Sequence, residues 1–169
     1  MTDLSPPPAP VSIRAALPAL LPDLRAFARF LARDMALADD LVQEAVLRAL
    51  RAEQQWIPGT SLRAWVFHIL RNVFLEQLRR RGTEKRALER MPAPDEASVP
   101  QDAHGEVTDL GRALQLLPLP QREALILVGA HGLSHEEAAV ICAVPVGTVK
   151  ARVSRARAAL ARNLSATAA

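Results

Sequence analysis

The fold of this chain is decided by one stretch, residues 134–157, which reads SHEEAAVICAVPVGTVKARVSRAR. Ser134 followed three residues later by Glu137 is a capping-box pattern, which predicts that a helix begins here. Pro145 suits the position just before a second helix, which we expect over about residues 146–163. Two helices joined by so short a turn predict a helix-turn-helix.

The second of these helices has an unbalanced charge. Its apolar residues form one stripe that can dock on a bundle, whereas its other faces carry cations and no acid. A basic helix end can simply be solvated and complement the helix dipole. The capped helix and tight turn that precede it favour DNA binding, with the second helix in the major groove. The five cations are Lys150, Arg152, Arg155, Arg157 and Arg162.

Position along this helix separates the DNA contacts that we expect. Side chains in the groove-facing half reach base edges, and flanking cations reach phosphates, which give affinity without sequence information. The expected base readers are Lys150, Ser154 and Arg155. The expected phosphate contacts are Thr148, Arg152 and Arg157.

The rest of the chain also has the composition of helices. Ala and Leu dominate over β-branched and aromatic residues, and there is no Tyr. Apolar residues recur at helical spacing from about Asp23 and again after Met35. A third, longer helix is expected from a Ser61 cap to Arg81, with Gly82 as its stop. We therefore predict an all-α chain with two small helical bundles.

A change of composition separates the two bundles. Residues 91–109 contain three prolines and five acids but no Lys or Arg, which is typical of a flexible linker. We place this acidic linker at residues 89–107, the first bundle at 15–88 and the second at 108–164. Residues 1–14, which contain four prolines, are expected to form a disordered lead-in.

The bulk composition excludes several classes of protein. One cysteine among 169 residues cannot form a disulfide framework or a cysteine-based zinc site, as expected in a reducing cytosol. No segment approaches the roughly 18 uninterrupted apolar residues of a membrane span, and no targeting segment is evident. The preference for Arg over Lys indicates an anionic partner. We expect a cytoplasmic protein without membrane insertion.

An enzyme is one rival hypothesis, and histidines are its only candidates for metal or base chemistry. His131 and His135 are four residues apart, but Gly132 and the Ser134 cap place a turn between them. We therefore predict no catalytic residue, no metal, no cofactor and no small-molecule substrate. The four histidines are His68, His104, His131 and His135.

Three blocks of sequence stand out in order along the chain. They are DDLVQEAVLRA at residues 39–49, the run from Trp56 through Asn72, and GTVKAR at residues 147–152. In order and spacing they resemble regions 2.2, 2.3 to 2.4, and 4 of the extracytoplasmic-function (ECF) group of bacterial sigma factors. The resemblance covers most of residues 20–163. That group keeps only regions 2 and 4, which agrees with two bundles.

The first block implies contacts with core RNA polymerase, because region 2.2 is the sigma-factor helix that docks on the clamp of the largest subunit. The residues concerned lie off the apolar stripe, so periodicity alone favours an ordinary solvated face, and only the resemblance points to docking. The implied contact residues are Asp40, Gln43, Glu44 and Leu47.

The second block implies that the chain melts the minus-10 element by trapping a flipped base, a step without catalysis. Trp56 and Asn72 match the family's pocket positions, where an aromatic ring stacks on a base and an amide bonds its edge. The alternatives are a core plug for Trp56 and a capping or back-bonded amide for Asn72. Trp65 is expected to be core. A solvated helix end is the alternative for four cations expected along the strand: Arg71, Arg79, Arg80 and Arg81.

Two further segments, 121–130 and 136–142, resemble the general-stress subgroup of the ECF factors. Members of this subgroup are held by a small anti-sigma factor, and a response regulator with a sigma-like domain releases them. The expected partners are therefore core RNA polymerase, promoter DNA and an anti-sigma factor, and the expected targets are stress-response genes. Ala151 stands where the family commonly has Ser, so one hydrogen bond to minus-35 DNA is missing.

A second rival hypothesis is a stand-alone helix-turn-helix regulator that binds operators as a dimer without polymerase. It explains the second bundle but leaves Asp40, Gln43 and Glu44 without a role.

Overall fold

The computed structural model describes residues 12–88 and 109–167, and in this part of the chain it contains helices and turns but no strand. The all-α class is confirmed. The predicted linker at 89–107 and most of the predicted lead-in at 1–14 lie outside the described residues. The helices are α1 Ile13–Ala32, α2 Met35–Arg51, α3 Leu62–Leu88, α4 Asp109–Gln115, α5 Leu119–Leu125, α6 His135–Cys142 and α7 Val146–Thr167.

Helix α1 begins at Ile13, so the start predicted near Asp23 is wrong. Pro18 and Pro22 lie inside the helix, and each lacks a donor, which costs about 3 kcal/mol in a helix interior. Ile13 and Leu17 are buried against the bundle, and each such side chain contributes roughly 1.5–3 kcal/mol. Burial of the first turns therefore offsets the missing hydrogen bonds.

Helix α3 is also longer than predicted, because Gly82 does not stop it. Gly82 is exposed and is not among the glycines with positive φ, so it takes an ordinary helical conformation. The cost relative to Ala is about 1 kcal/mol. The next residue, Thr83, donates its hydroxyl to Arg79 O at 2.9 Å. The helix therefore continues through this position to Leu88.

Helix α5 ends at Leu125, and the chain then forms one wider, π-type turn over Ile126–Ala130. Gly132 follows with φ 63°, a left-handed conformation that favours glycine. This turn carries the chain to α6, as the sequence predicted.

Helices α1 to α3 form one bundle and α4 to α7 form a second, and the two bundles pack together mainly through α3 and α6. Buried side chains of both bundles belong to one continuous apolar cluster. Phe27 and Phe67 of the first bundle stack at 5.3 Å between ring centroids. His131 of the second meets them edge-on, at 5.7 and 5.4 Å. The bundles therefore share a core.

Candidate functional site

Helix α7 presents the cationic face predicted for minus-35 DNA. Val149, Val153 and Ala156 are buried, which fixes the orientation of the helix on its bundle. Thr148 and Arg152 are half-buried. The remaining predicted contacts, all exposed, are Lys150, Ser154, Arg155 and Arg157. The structure thus places all six residues on one helix, with four fully open to solvent. Ala151 is exposed beside them.

The turn before α7 is set by a cap and one left-handed residue. Ser134 Oγ accepts a hydrogen bond from Glu137 N at 3.0 Å, and Glu137 Oε2 accepts one from Ser134 N at 2.9 Å. The predicted capping box is confirmed. Ala143 ends α6 with φ 54°, a conformation that costs a non-glycine residue roughly 1–2 kcal/mol. Val144 N then donates back to Ala139 O at 3.1 Å, which fixes the start of α7.

Three of the four polymerase-docking residues predicted on α2 line two different grooves. Asp40 and Glu44 line a shallow groove between α2 and α3, together with Arg80 of α3. Gln43 lines a different groove, toward α1, with Asp39. Apart from the half-buried Glu44, the predicted docking residues are exposed: Asp40, Gln43 and Leu47. All four therefore lie along the outer surface of α2.

Arg48, which the sequence reasoning missed, connects this surface to α3. Its Nε donates to Glu44 Oε1 at 2.6 Å, and its two terminal nitrogens each lie 2.9 Å from a carboxylate oxygen of Glu76. The hydrogen bonds from Arg48 lower the pKa of Glu76 and in turn raise the pKa of Arg48. The Glu44–Arg48 spacing of four residues is a signal from which this pair was predictable.

Trp56 and Asn72, predicted for the minus-10 pocket, have different surroundings. Trp56 is half-buried against the core, and its Nε1 is buried without a hydrogen-bond partner among the described residues. Asn72 Nδ2 lies 3.0 Å from His68 Nε2. His68 Nδ1 lies 3.0 Å from Ile141 O, so this nitrogen carries the proton and Nε2 accepts from the amide. Trp65 packs against the core, as predicted.

Arg71 does not face solvent as its predicted role on DNA requires. Its Nε donates to Glu123 Oε1 of α5 at 2.5 Å, across the boundary between the bundles. The two side chains are only 15% and 3% exposed. By contrast, the other cations predicted for this strand are exposed: Arg79, Arg80 and Arg81.

Two more polar contacts cross the same boundary, and no sequence pattern indicated either of them. Ser61 Oγ donates to Glu137 Oε1 at 2.7 Å. Arg63 donates to His131 O at 2.8 Å and to Asp23 at 2.7 Å. The amide of Ser134 and the hydroxyl of Ser61 both donate to Glu137 and lower the pKa of its carboxyl. Pairings of this kind join residues that are distant in sequence, so local periodicity does not indicate them.

The histidines on which the enzyme hypothesis depends lie in different surroundings. No cluster of three metal-ligating side chains occurs among residues 12–88 and 109–167. His131 packs edge-on against two aromatic rings, and burial lowers its pKa. His104 lies outside the described residues. Within the described ranges, no helix is both long enough and apolar enough to cross a membrane.

The chain matches two family models. Sigma-70 region 2 matches residues 18–84, which hold most of α1, all of α2 and most of α3. Sigma-70 region 4 matches residues 108–160, which hold α4 to most of α7. Together with the helix-turn-helix, these matches define a transcription initiation factor of the sigma-70 type.

Similar curated proteins indicate which group of sigma factors the chain belongs to. The chain is 49% identical over 150 residues to the ECF RNA polymerase sigma factor EcfG of Rhodopseudomonas palustris, covering 88% of this chain and 83% of that one. It is 34% identical over 153 residues to SigC of Mycobacterium tuberculosis, covering 88% and 81%. The chain belongs to the ECF RNA polymerase sigma factors, as the three sequence blocks predicted.

Two solved structures have a fold similar to that of this chain. RpoE of Bartonella quintana, in complex with the anti-sigma factor NepR, is 41% identical with a TM-score of 0.75, covering 90% of this chain and 96% of that one. CnrH in complex with the cytosolic domain of CnrY is 26% identical with a TM-score of 0.65, covering 92% and 90%. The predicted general-stress subgroup fits the EcfG and RpoE relatives.

Proposed function

We propose that three surfaces of this ECF sigma factor divide its work. Helix α2 docks on core RNA polymerase, the Trp56 loop and α3 hold the melted minus-10 strand, and α7 reads the minus-35 duplex. The observation that carries the proposal is the exposed cationic face of α7 behind a capped α6, on the same chain as the exposed polar face of α2. A stand-alone regulator does not bind polymerase, so the exposed polar face of α2 would have no role in it.

The minus-35 assignment rests on where the side chains of α7 lie. Lys150, Ser154 and Arg155 are exposed and reach base edges when the helix enters the major groove. Thr148, Arg152 and Arg157 flank them and contact phosphates. Exposed Ala151 offers no hydrogen bond, so sequence preference at the matching base pair is relaxed.

The docking assignment rests on the polar surface of α2. Asp40, Gln43 and Leu47 are open to a partner, and the Arg48 guanidinium holds the Glu44 carboxylate in place. A charged side chain that is already oriented loses less conformational entropy when it binds.

The minus-10 assignment rests on Trp56 and Asn72. A buried donor without a partner costs roughly 1–3 kcal/mol, so the indole of Trp56 gains when a base supplies an acceptor or a stacking face. Asn72 is half-buried on α3 and is able to read a base edge once it leaves His68. The exposed Arg79, Arg80 and Arg81 then follow the backbone of the strand, and Arg71 joins them only when it leaves Glu123.

The remaining assignments follow from the family. The minus-10 domain spans residues 15–88 and the minus-35 domain 108–164, with the acidic segment 89–107 between them. The chain works in the cytoplasm and has no catalytic activity of its own, because the polymerase performs the chemistry. An anti-sigma factor binds this chain. In support, RpoE was solved in complex with the anti-sigma factor NepR, and CnrH was solved in complex with the cytosolic domain of CnrY.

In vitro transcription over a promoter library tests this proposal. The purified chain with core polymerase should initiate from a distinct set of promoters with recurring minus-35 and minus-10 elements. Free protein should bind duplex DNA poorly. Tight protection of a palindromic operator by the free protein, with no initiation when polymerase is added, would overturn the proposal in favour of the stand-alone regulator.

A further inference from the structure

Helix α1 carries a row of arginines that lies outside the three proposed functional surfaces. Arg25 and Arg29 of α1 and Arg33 at its C-cap recur every four residues. That spacing places neighbours about 6 Å apart along a helix and about 40° apart around it. All three side chains are exposed, and none forms an ion pair with an acid among residues 12–88 and 109–167. We call these residues the α1 arginine stripe.

The stability of α1 does not account for this stripe. Cations interact favourably with the helix dipole only in the last turn, which holds Arg29 but not Arg25. Like charges four residues apart repel each other and destabilise a helix. The charge of Arg33 also acts on a neighbouring cation, because it adds to burial in lowering the pKa of Arg122. The stripe is therefore an uncompensated positive surface, as a site for an anionic partner requires.

Two arginines of the stripe form one wall of a groove whose other wall is α2. Arg25 and Arg29 line the groove opposite Asp39 and Gln43, and the buried Val42 lies between the walls. Polar walls on either side of an apolar residue suit an amphipathic helix laid into the groove. Glutamates at every fourth position of such a helix repeat at the same 6 Å as the arginines, so each guanidinium can meet one carboxylate in bidentate geometry.

The charges of this groove favour a protein over a nucleic acid. A nucleic acid carries a negative phosphate at every nucleotide, which the exposed carboxylates of Asp39 and the adjacent Asp40 would repel. Helix α7, the proposed DNA surface, has exposed cations and no acid. A protein helix carries acids at chosen positions only, so it can meet the arginines and avoid Asp39.

We propose that the α1 arginine stripe and its groove bind an acidic amphipathic helix of a protein other than core polymerase. Most of the polymerase-docking surface lies elsewhere, because Asp40 and Glu44 line the groove toward α3. The proposal does not depend on the roles proposed for α2, α3 and α7. It is tested on the free, full chain with synthetic peptides.

The first experiment uses a fluorescent peptide of about four helical turns, with glutamate at every fourth position and leucine beside it. A second peptide has the same composition with the glutamates shuffled. Fluorescence anisotropy compares their binding to the wild type and to two double variants, Arg25→Gln with Arg29→Gln and Arg79→Gln with Arg81→Gln. Both variants lose two exposed positive charges, but only the first loses them in the groove. The methyl NMR signals of Val42 report whether the peptide lies there.

The patterned peptide should bind the wild type more tightly than the shuffled one by about tenfold or more, and it should shift the Val42 signals. Arg25→Gln with Arg29→Gln should lose about tenfold in affinity, whereas the α3 variant should stay within about twofold. Equal binding of the two peptides, equal losses in the two variants, or no binding by the wild type would overturn the proposal. Tighter binding of single-stranded DNA, with the same Val42 shifts, would also overturn it and assign the groove to nucleic acid.

The second experiment separates this partner from core polymerase. Arg25→Gln with Arg29→Gln should bind core polymerase within about twofold of the wild type, since the stripe contacts a different protein. A loss of more than about tenfold would make polymerase the occupant of the groove and would overturn the proposal. If the wild type itself does not bind core polymerase, the proposed docking function fails, whereas the peptide measurements still decide whether the stripe is a binding site.

Discussion

Glu123 Oε1 lies 2.5 Å from Arg71 Nε, although the two residues are 52 positions apart and belong to different bundles. Glu123 is the one buried acidic side chain among the described residues. A buried carboxylate of this kind is stable only with a charged partner, and Arg71 supplies it. The packing of the two bundles therefore uses Arg71, a cation that the family resemblance predicts to contact promoter DNA.

Polymerase binding should depend on the outer surface of α2. Changing Asp40, Gln43 and Glu44 together to Ala should weaken binding to core polymerase by more than about a hundredfold, since central interface residues each contribute about 1–2 kcal/mol or more. Fluorescence anisotropy with labelled protein measures this loss. Asp39→Ala, an exposed acid on the same helix, is the control, and circular dichroism should show unchanged helicity. Retained binding by the triple variant would exclude the docking role.

Two arginines of α7 should behave differently on DNA. Arg155→Ala should cost roughly 1–3 kcal/mol at promoters with the preferred minus-35 element and relax selectivity there. Arg157→Ala should weaken all promoters alike and reduce the salt dependence, because a phosphate contact carries no sequence information. Competition between promoter variants at several salt concentrations separates the two. The same pattern for both variants would contradict the assignment.

Promoter opening should depend on the ring at position 56. Trp56→Ala should slow opening by about tenfold to a hundredfold, because stacking of a base on an aromatic side chain contributes about 1–3 kcal/mol. Trp56→Phe keeps a ring and should retain most of the activity. Permanganate reactivity of the minus-10 thymines follows the melting. If Trp56→Ala melts the promoter normally, Trp56 is a core residue only.

The fold should become less stable as the solution becomes mildly acidic. Burial lowers the pKa of His131 in the folded chain, and the effects of Asp23 and Arg63 on it oppose each other. An exposed histidine has its ordinary pKa of 6.5, so the unfolded state binds more protons. The contribution of His131 to the free energy of unfolding is therefore complete above pH 6.5 and is lost as the pH falls through the lower value of the folded state.

Urea denaturation at a series of pH values across this range measures that loss. His131→Phe keeps the ring contacts with Phe27 and Phe67 but does not titrate, so it should remove this part of the pH dependence. A wild type and His131→Phe with the same profile would exclude His131 as the titrating group.

The Ser134 cap should stabilise the helix-turn-helix. Ser134→Ala removes the acceptor for Glu137 N and should lower the free energy of unfolding by about 0.5–2 kcal/mol. Urea denaturation followed by circular dichroism measures the change. Ser154→Ala, at an exposed position of α7, should leave the stability within about 0.5 kcal/mol of the wild type. Equal effects of the two changes would show that the cap adds nothing.

Local patterns were enough to predict much of the fold and which face of its helix most candidate site residues occupy. The capping box at Ser134, the stripe on α7 and the exposed face of α2 all depend on residues within a few turns of one another. The structure differs where distant parts of the chain decide the outcome. Burial of Ile13 and Leu17 carries α1 past two prolines, and Gly82 is tolerated inside α3.

The packing of the bundles on each other could not be predicted from local sequence patterns for the same reason. Arg71 and Glu123 each occupy positions that read as ordinary polar residues of amphipathic helices, and nothing near either one indicates its partner. The prediction for Arg71 therefore considered only DNA and a solvated helix end.

Glu137 carries a consequence for the genetics of this protein. One oxygen of its carboxylate accepts from the start of α6, and the other accepts from Ser61 of the first bundle. A single codon change at Glu137 therefore removes contacts in both bundles. Screens for inactive alleles should recover Glu137 readily, because the amount of folded protein in the cell falls when stability is lost.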